Sequence, residues 1–404
     1  MNLAEQIIAS HAGRDAVCPG EILSVTVDRV YVQDGNSPTI AKIFAKYGFE
    51  EVFAREKIGV FFDHSVLPPN IGIADRLREA ERHCGALKLP VFRAGEGISH
   101  QLALEMGWFE PGSIVLGSDS HTCMGGVMQS LGLGMGASDI AAAMVLGETW
   151  LQVPETVCLH VTGAPGPYTT TKDLVLAVLA RHEVDTFLYK SVQWAGPWLE
   201  TLSLDSAATI ANMAVEMGAK CAFLPPGPGR EQLQPTRAGD DAEHIEFDIG
   251  GLPPYVAKPH APTNAVPIDE VRGQGIDYVY VGSCTNSRLE DFAAVARVLE
   301  GQQVHPSVTL IVTPGSRQIL LDAWKHGYAE TIVRAGGMLT PAGCGSCLGT
   351  QGPVPATGDR ILSTMNRNFQ GRMGNRDAQI FLSSPLVAAH TAIRGEIPGV
   401  EELA

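Results

Sequence analysis

Three cysteines stand out as candidates for chemistry. Cys284 lies in Gly282-Ser283-Cys284-Thr285-Asn286-Ser287, and Cys344 and Cys347 lie in Gly343-Cys344-Gly345-Ser346-Cys347-Leu348-Gly349. A C-x-x-C pair lets two sulfurs face one metal centre from a single turn. The glycines around it admit positive-φ backbone and let amide N–H groups approach sulfur. By residue type the pair suits a zinc knuckle, a thioredoxin-like redox pair or an iron–sulfur centre. A redox pair usually opens a helix in a small βαβ domain, whereas this one sits in a Gly-rich loop of a long chain. Zinc normally takes a fourth Cys or His, and no second C-x-x-C or His-rich loop follows. Three thiolates from two loops fit a [4Fe–4S] cluster with one iron left free of protein ligands. Residue types alone leave all three readings open. Cys18, Cys84, Cys123, Cys158 and Cys221 have no second Cys or Gly-rich loop nearby, and each reads as a small buried hydrophobe.

The elements that must hold these loops follow from hydrophobic patterning. Short β-branched runs at 57–62, 113–116, 277–281 and 308–312 alternate with amphipathic stretches at 71–84, 137–151, 171–180 and 290–299. Alternation of this kind predicts an α/β fold with parallel sheets flanked by helices, in which function gathers where strands end. Two loops share one format: a strand leads into Gly117-Ser118-Asp119-Ser120-His121-Thr122, and another into the Cys284 loop. The Pro/Gly-rich stretch 224–260, with charged 237–244 in its middle, reads as a linker, and a softer boundary falls near 161–168. The expected domains are 1–160, 161–267 and 268–404, all α/β, the last carrying the cysteines.

Composition narrows the partners. The chain has 404 residues, 44 acidic and 29 basic side chains and a formal charge of −15. Such a surface repels phosphate backbones and anionic lipid, which argues against nucleic acid or membrane as a main partner. It also repels an anionic substrate, which then needs a local cluster of Arg or helix N-termini. No run approaches ~20 apolar residues, and residues 1–13 lack a signal-peptide layout, so a cytoplasmic protein is expected. Eight Cys in a reducing compartment read as thiols or metal ligands.

The two cysteine loops together resemble the cluster-binding signatures of the aconitase superfamily. The resemblance runs in order through Val32-Gln33-Asp34-Gly35, Phe62-Asp63-His64, Ser99-His100-Gln101 and the Gly117–Thr122 loop. It continues in Asn212-Met213-Ala214-Val215-Glu216-Met217-Gly218-Ala219 and ends in Asn366-Arg367-Asn368-Phe369-Gln370-Gly371-Arg372. Stopping soon after Gly395-Glu396-Ile397-Pro398, the chain is similar to the large subunits of 3-isopropylmalate dehydratase, of leucine biosynthesis, and of homoaconitase. Methylmalate and maleate hydratase large subunits are related. The resemblance implies three aconitase-like domains with the cluster at the interdomain cleft, and hydro-lyase activity on a small hydroxy-di- or tricarboxylate. A separate small subunit would carry the swivelling domain and a catalytic Ser.

It also implies roles. Cys284, Cys344 and Cys347 would hold one [4Fe–4S] cluster, whose open iron is a Lewis acid toward substrate oxygens. Asp63 and His64 would form the acid that protonates the leaving oxygen, with Asp119, His121 and His100 as the second acid/carboxylate group. Gln33, Ser120, Asn366, Arg367 and Arg372 would face substrate, the arginines as planar forks for carboxylate. Val192-Gln193-Trp194-Ala195-Gly196 stands where the family has a Glu before an aromatic residue, so Gln193 is expected at the substrate, with altered chemistry. From another class, the chain could be a non-catalytic iron–sulfur protein for electron transfer or sensing, which would call for a fourth Cys at the iron.

Overall fold

The structure, a computed structural model, describes residues 1–236, 239 and 242–404. Four sheets organise it. The first is fully parallel, in the order Val91–Phe92, Ile58–Phe61, Arg29–Gln33, Ile114–Gly117, Leu131–Gly134. Beside it runs an antiparallel ribbon of Ile22–Thr26 and Glu148–Gln152. A second parallel sheet takes Cys221–Phe223, Ser191–Ala195, Thr156–Thr162 and Glu243–Asp248. The third has seven strands, ordered Ala265–Pro267, Tyr255–Ala257, Gln379–Leu382, Arg360–Ser363, Tyr278–Val281, Thr309–Val312, Met338–Leu339. Its first two strands are antiparallel and the rest parallel, so the α/β expectation holds. Parallel strands need crossover connections, and helices such as Ile71–Leu87, Thr171–Arg181 and Leu289–Leu299 supply them.

Local chemistry sets the helix starts. The Asn70 side chain accepts the Ile73 N–H (3.0 Å), and Thr170 donates both its N–H (2.8 Å) and its hydroxyl (2.7 Å) to Asp173. The helix expected over 137–151 is corrected: it stops at Leu146, because Gly147 takes φ +69 and the chain turns into the strand Glu148–Gln152. The stretch 224–260 is no plain linker, since Glu243–Asp248 pairs with Thr156–Thr162, a strand that itself spans the expected division at 160. Positions 237, 238, 240 and 241 of its charged centre lie outside the described residues. Cys18 is exposed rather than buried.

Parallel strands bring their loops out at one end. Gln33 ends one strand of the first sheet and Asp34 follows it; Asp63 and His64, and Asp119, follow the two strands on either side. Cys284 and Asn366 follow two adjacent strands of the third. These two carboxyl-end faces meet: the Cys344 N–H donates to the Asp63 carbonyl (2.8 Å), and the Ile98 N–H to the Gly315 carbonyl (2.8 Å). Among the described residues the larger apolar cores lie around Trp194 and the helix Thr171–Arg181, against the first sheet, and around Phe292, Val387 and Leu310; a smaller one holds Tyr31, Phe61 and Phe109.

Candidate active site and metal centre

Asp119 is the hub of the site. Three imidazoles reach its carboxylate: His100 Nε2 at 3.1 Å, His121 Nδ1 at 3.3 Å and His64 Nε2 at 3.3 Å. Burial works against its charge, but the hydrogen bonds with His100, His121 and His64 outweigh that and hold it well below the usual carboxylate range. Each histidine has a second anchor. His64 Nδ1 is 2.7 Å from Asp63 Oδ1, His100 Nδ1 is 2.6 Å from the Tyr31 hydroxyl, and His121 Nε2 is 3.0 Å from Glu216 Oε1. Burial disfavours a charged His64, yet its neighbours Cys344, Asp63 and Asp119 raise its pKa well above the ordinary value. Asp63 is itself fixed by the Ser99 N–H (2.7 Å), so the Asp-His pair is rigid.

The three cysteines border this group. Cys284 and Cys344 pack with Ile98 in one small cluster. Each sulfur meets a polar neighbour: Asn366 Nδ2 on Cys284 (3.4 Å), Arg372 Nη2 on Cys347 (3.4 Å) and His64 Nε2 near Cys344 (3.8 Å). The loops depend on their glycines. Gly343 takes φ +156, and a Cβ there would meet the Asp63 carbonyl at 2.9 Å; Gly345 takes φ +61 against the Tyr280 ring. Ser283, beside Cys284, takes φ +71, a conformation that costs about 1–3 kcal/mol for a non-glycine residue.

The donor set fits an iron–sulfur cluster better than one ion. A zinc ion with Zn–S near 2.3 Å would bring three sulfurs within about 4.6 Å of each other. Among the described residues the groups that close are His100 with His121 and Cys284, and Asp63 with His64 and Cys344, all within 4.8 Å; the three sulfurs do not form one. Burial pushes the Cys284 thiol up to about 12 and that of Cys344 well above its ordinary value, so these thiols ionise only against a strong cation. Asn366 Oδ1 and Arg372 Nε are buried without partners among the described residues, as expected of groups that await a ligand. Of the other cysteines, Cys123 donates to the Asn212 carbonyl (3.4 Å) and packs in the apolar core.

Of the other expected residues, Arg367 joins the site by pairing with Glu216 (2.9 Å). Ser120 Oγ lies 3.4 Å from His121 Nδ1. Gln33 is buried, and its amide accepts the Gly35 N–H. Gln193 is not brought there. It lies on the inner strand Ser191–Ala195 of the second sheet, fully buried, where Oε1 accepts the Leu3 N–H (2.8 Å) and Nε2 donates to the Thr236 carbonyl (3.2 Å). A glutamate at the site is Glu216, from the turn Met213–Met217. Burial raises Glu216, and the bonds with His121 and Arg367 overcome that to lower it. Three further residues were missed. Asp34 binds the His64 and Ser65 N–H groups (3.0 and 2.9 Å), and Tyr31 touches His100. Lys172, fully buried, donates to the carbonyls of Thr364 (3.1 Å) and Met365 (2.6 Å), just before Asn366.

The model of the aconitase family (aconitate hydratase) matches residues 5–229 and 269–395. The chain belongs to the aconitase family. Enzymes of this family bind [4Fe–4S] clusters. Among relatives, the chain is 38% identical to a 3-isopropylmalate dehydratase large subunit of Pyrococcus furiosus, across all of this chain and 99% of that one. It is also 38% identical to a probable methanogen homoaconitase large subunit of Methanothermobacter thermautotrophicus, across all of this chain and 98% of that one. Among solved structures, aconitase X of Thermococcus kodakaraensis shares the fold at TM-score 0.56 and 15% identity, over 85% of this chain and 84% of that one. No helix among the described residues is long and apolar enough to cross a membrane.

Proposed function

We propose that this chain is the large subunit of a hydro-lyase of the 3-isopropylmalate dehydratase type, holding one [4Fe–4S] cluster on Cys284, Cys344 and Cys347. The observation that carries the reading is that three buried sulfurs, each beside a polar side chain, border the Asp119–histidine group. When bound, the cluster supplies a Lewis acid for a substrate hydroxyl and carboxylate. The protein's own groups do the rest. His64, oriented by Asp63, stands as the acid for the departing oxygen. His100, with Asp119, and His121, with Glu216, form a second proton-handling pair of dyads. Arg367 and Arg372 offer forked donors to carboxylates, which offsets the repulsion expected from the chain's net charge. Gln33 and Ser120 complete the substrate side, and Gln193 takes no part.

The site is to be completed by a small subunit bearing the base. Leu67, Leu348 and Phe369 are exposed on the loops that carry His64, Cys347 and Arg367, an apolar rim suited to a partner. Three domains, one per large sheet, would then surround the cleft. The test is anaerobic reconstitution with iron and sulfide, addition of the cognate small subunit, and assay against isopropylmalate-, homocitrate-, methylmalate- and malate-type acids. Turnover of the isopropylmalate type supports the proposal, turnover of the homocitrate type supports a homoaconitase, and turnover of neither with a four-ligand cluster points to electron transfer or sensing.

A further inference from the structure

Proton accounting around Tyr31 reaches beyond these roles. Tyr31 sits mid-strand in Arg29–Gln33, fully buried, with its ring edge-on to Phe61 (5.7 Å between centroids) and to His100 (5.8 Å). Its hydroxyl lies 2.6 Å from His100 Nδ1 and 2.9 Å from Thr122 Oγ1. Gly117 is aligned with Tyr31 on the neighbouring strand, and a Cβ there would meet the Tyr31 ring at 2.6 Å. Tyrosine and threonine thus occupy space that only a glycine leaves.

The hydrogens can be followed one by one. Thr122 Oγ1 is 2.6 Å from the Asp119 carbonyl, which can only accept, so the one hydroxyl hydrogen of Thr122 is spent there. Toward Tyr31, Thr122 must therefore accept, and the one hydrogen of Tyr31 is spent on Thr122. Toward His100 the Tyr31 oxygen is left as an acceptor, and the short contact requires hydrogen on Nδ1. We infer that Tyr31 is a positioning residue which keeps a proton on Nδ1 of His100, so that any proton His100 trades with substrate leaves and returns at Nε2, beside Asp119. An orienting partner at one ring nitrogen sets what the other can do. The clause on substrate rests on the dehydratase reading; the clause on Nδ1 does not.

The experiment labels the full chain with 15N-histidine, assigns His100 by the signal lost in His100→Gln, and compares wild type, Thr122→Val and Tyr31→Phe. Wild type is expected to show Nδ1 of protonated type. Thr122→Val frees the Tyr31 hydrogen to turn toward Nδ1, and Tyr31→Phe removes the acceptor; in both, Nδ1 is expected to lose its hydrogen, while Nε2 keeps the one it donates to Asp119 (3.1 Å). A bare Nδ1 in wild type, or one His100 pattern in all three proteins, overturns the inference. With small subunit and substrate, both variants should lose at least about ten-fold in kcat, with KM within about two-fold and iron content unchanged. An unchanged kcat alongside a bare Nδ1 in the variants overturns the clause on substrate. Absence of turnover in wild type with every hydroxy acid defeats the dehydratase reading instead, while the nitrogen spectra still decide the clause on Nδ1.

Discussion

Gln193→Glu separates the two placements of this position most sharply. At the substrate, a glutamate would restore an acid and change turnover. In the structure, the side chain is fully buried and its Nε2 donates to the Thr236 carbonyl, 3.2 Å away. An ionised glutamate would turn an oxygen toward that carbonyl with nothing to donate. The folded protein would avoid this by keeping the new carboxyl protonated, since an O–H can replace the lost N–H. The folded pKa is then raised above the unfolded value of about 4.3. Below that value the group is protonated in both states and costs nothing. Above it, only the unfolded chain releases the proton, so stability falls by about 1.4 kcal/mol per pH unit until the folded pKa is reached. At pH 7 the loss reaches about 3–4 kcal/mol, a large share of the 5–15 kcal/mol typical of a domain. Because Oε1 also accepts the Leu3 N–H, the N-terminal helix Leu3–His11 should loosen with it. Thermal unfolding of both proteins between pH 5 and 8 should show a gap in midpoint that widens as pH rises, with turnover per folded molecule unchanged. A constant gap would contradict the burial of a protonated carboxyl there, and altered turnover with no gap would place Gln193 at the substrate instead.

Other outcomes follow from the same geometry. Glu216→Gln keeps shape but weakens two charge-assisted bonds, to His121 and Arg367, and should remove about 2–4 kcal/mol of transition-state binding, roughly 30- to 1000-fold in kcat/KM, with iron content intact. Lys172→Met strips the donors from the Thr364 and Met365 carbonyls, and hydrogen exchange across 364–368 should quicken by a factor equivalent to about 2 kcal/mol of local stability. Phe369→Asp on the exposed rim should weaken small-subunit binding about ten-fold or more, read by titration calorimetry, without changing the cluster.

The sequence was most legible where a residue's job depends on its loop. Cysteines, Asp-His steps and Gly-Ser turns at strand ends carry their own spacing, and the strands before them are β-branched runs of clear length. It was least legible where a role depends on what lies across the fold. Gln193 reads as standing in for the motif's Glu because its neighbours match, whereas its partners are Leu3 and Thr236, far along the chain. Glu216 stood in plain view, yet only tertiary packing places it between His121 and Arg367. Tyr31 in an apolar strand reads as core, and nothing local announces its bond to His100. Gly147 is the exception: a glycine just past an apolar helical run is a stop signal in the sequence itself, and the helix ends there.

The central claim is a cluster held by three thiolates with one iron open to substrate. Mössbauer spectroscopy of the chain reconstituted anaerobically with 57Fe and sulfide tests it most directly. One [4Fe–4S] cluster per chain is expected, lost on Cys344→Ser, in which one iron site of four changes its signal when a hydroxy acid is added with the small subunit. Four equivalent thiolate-bound irons that ignore every acid, or no iron at Cys284, Cys344 and Cys347, would contradict it.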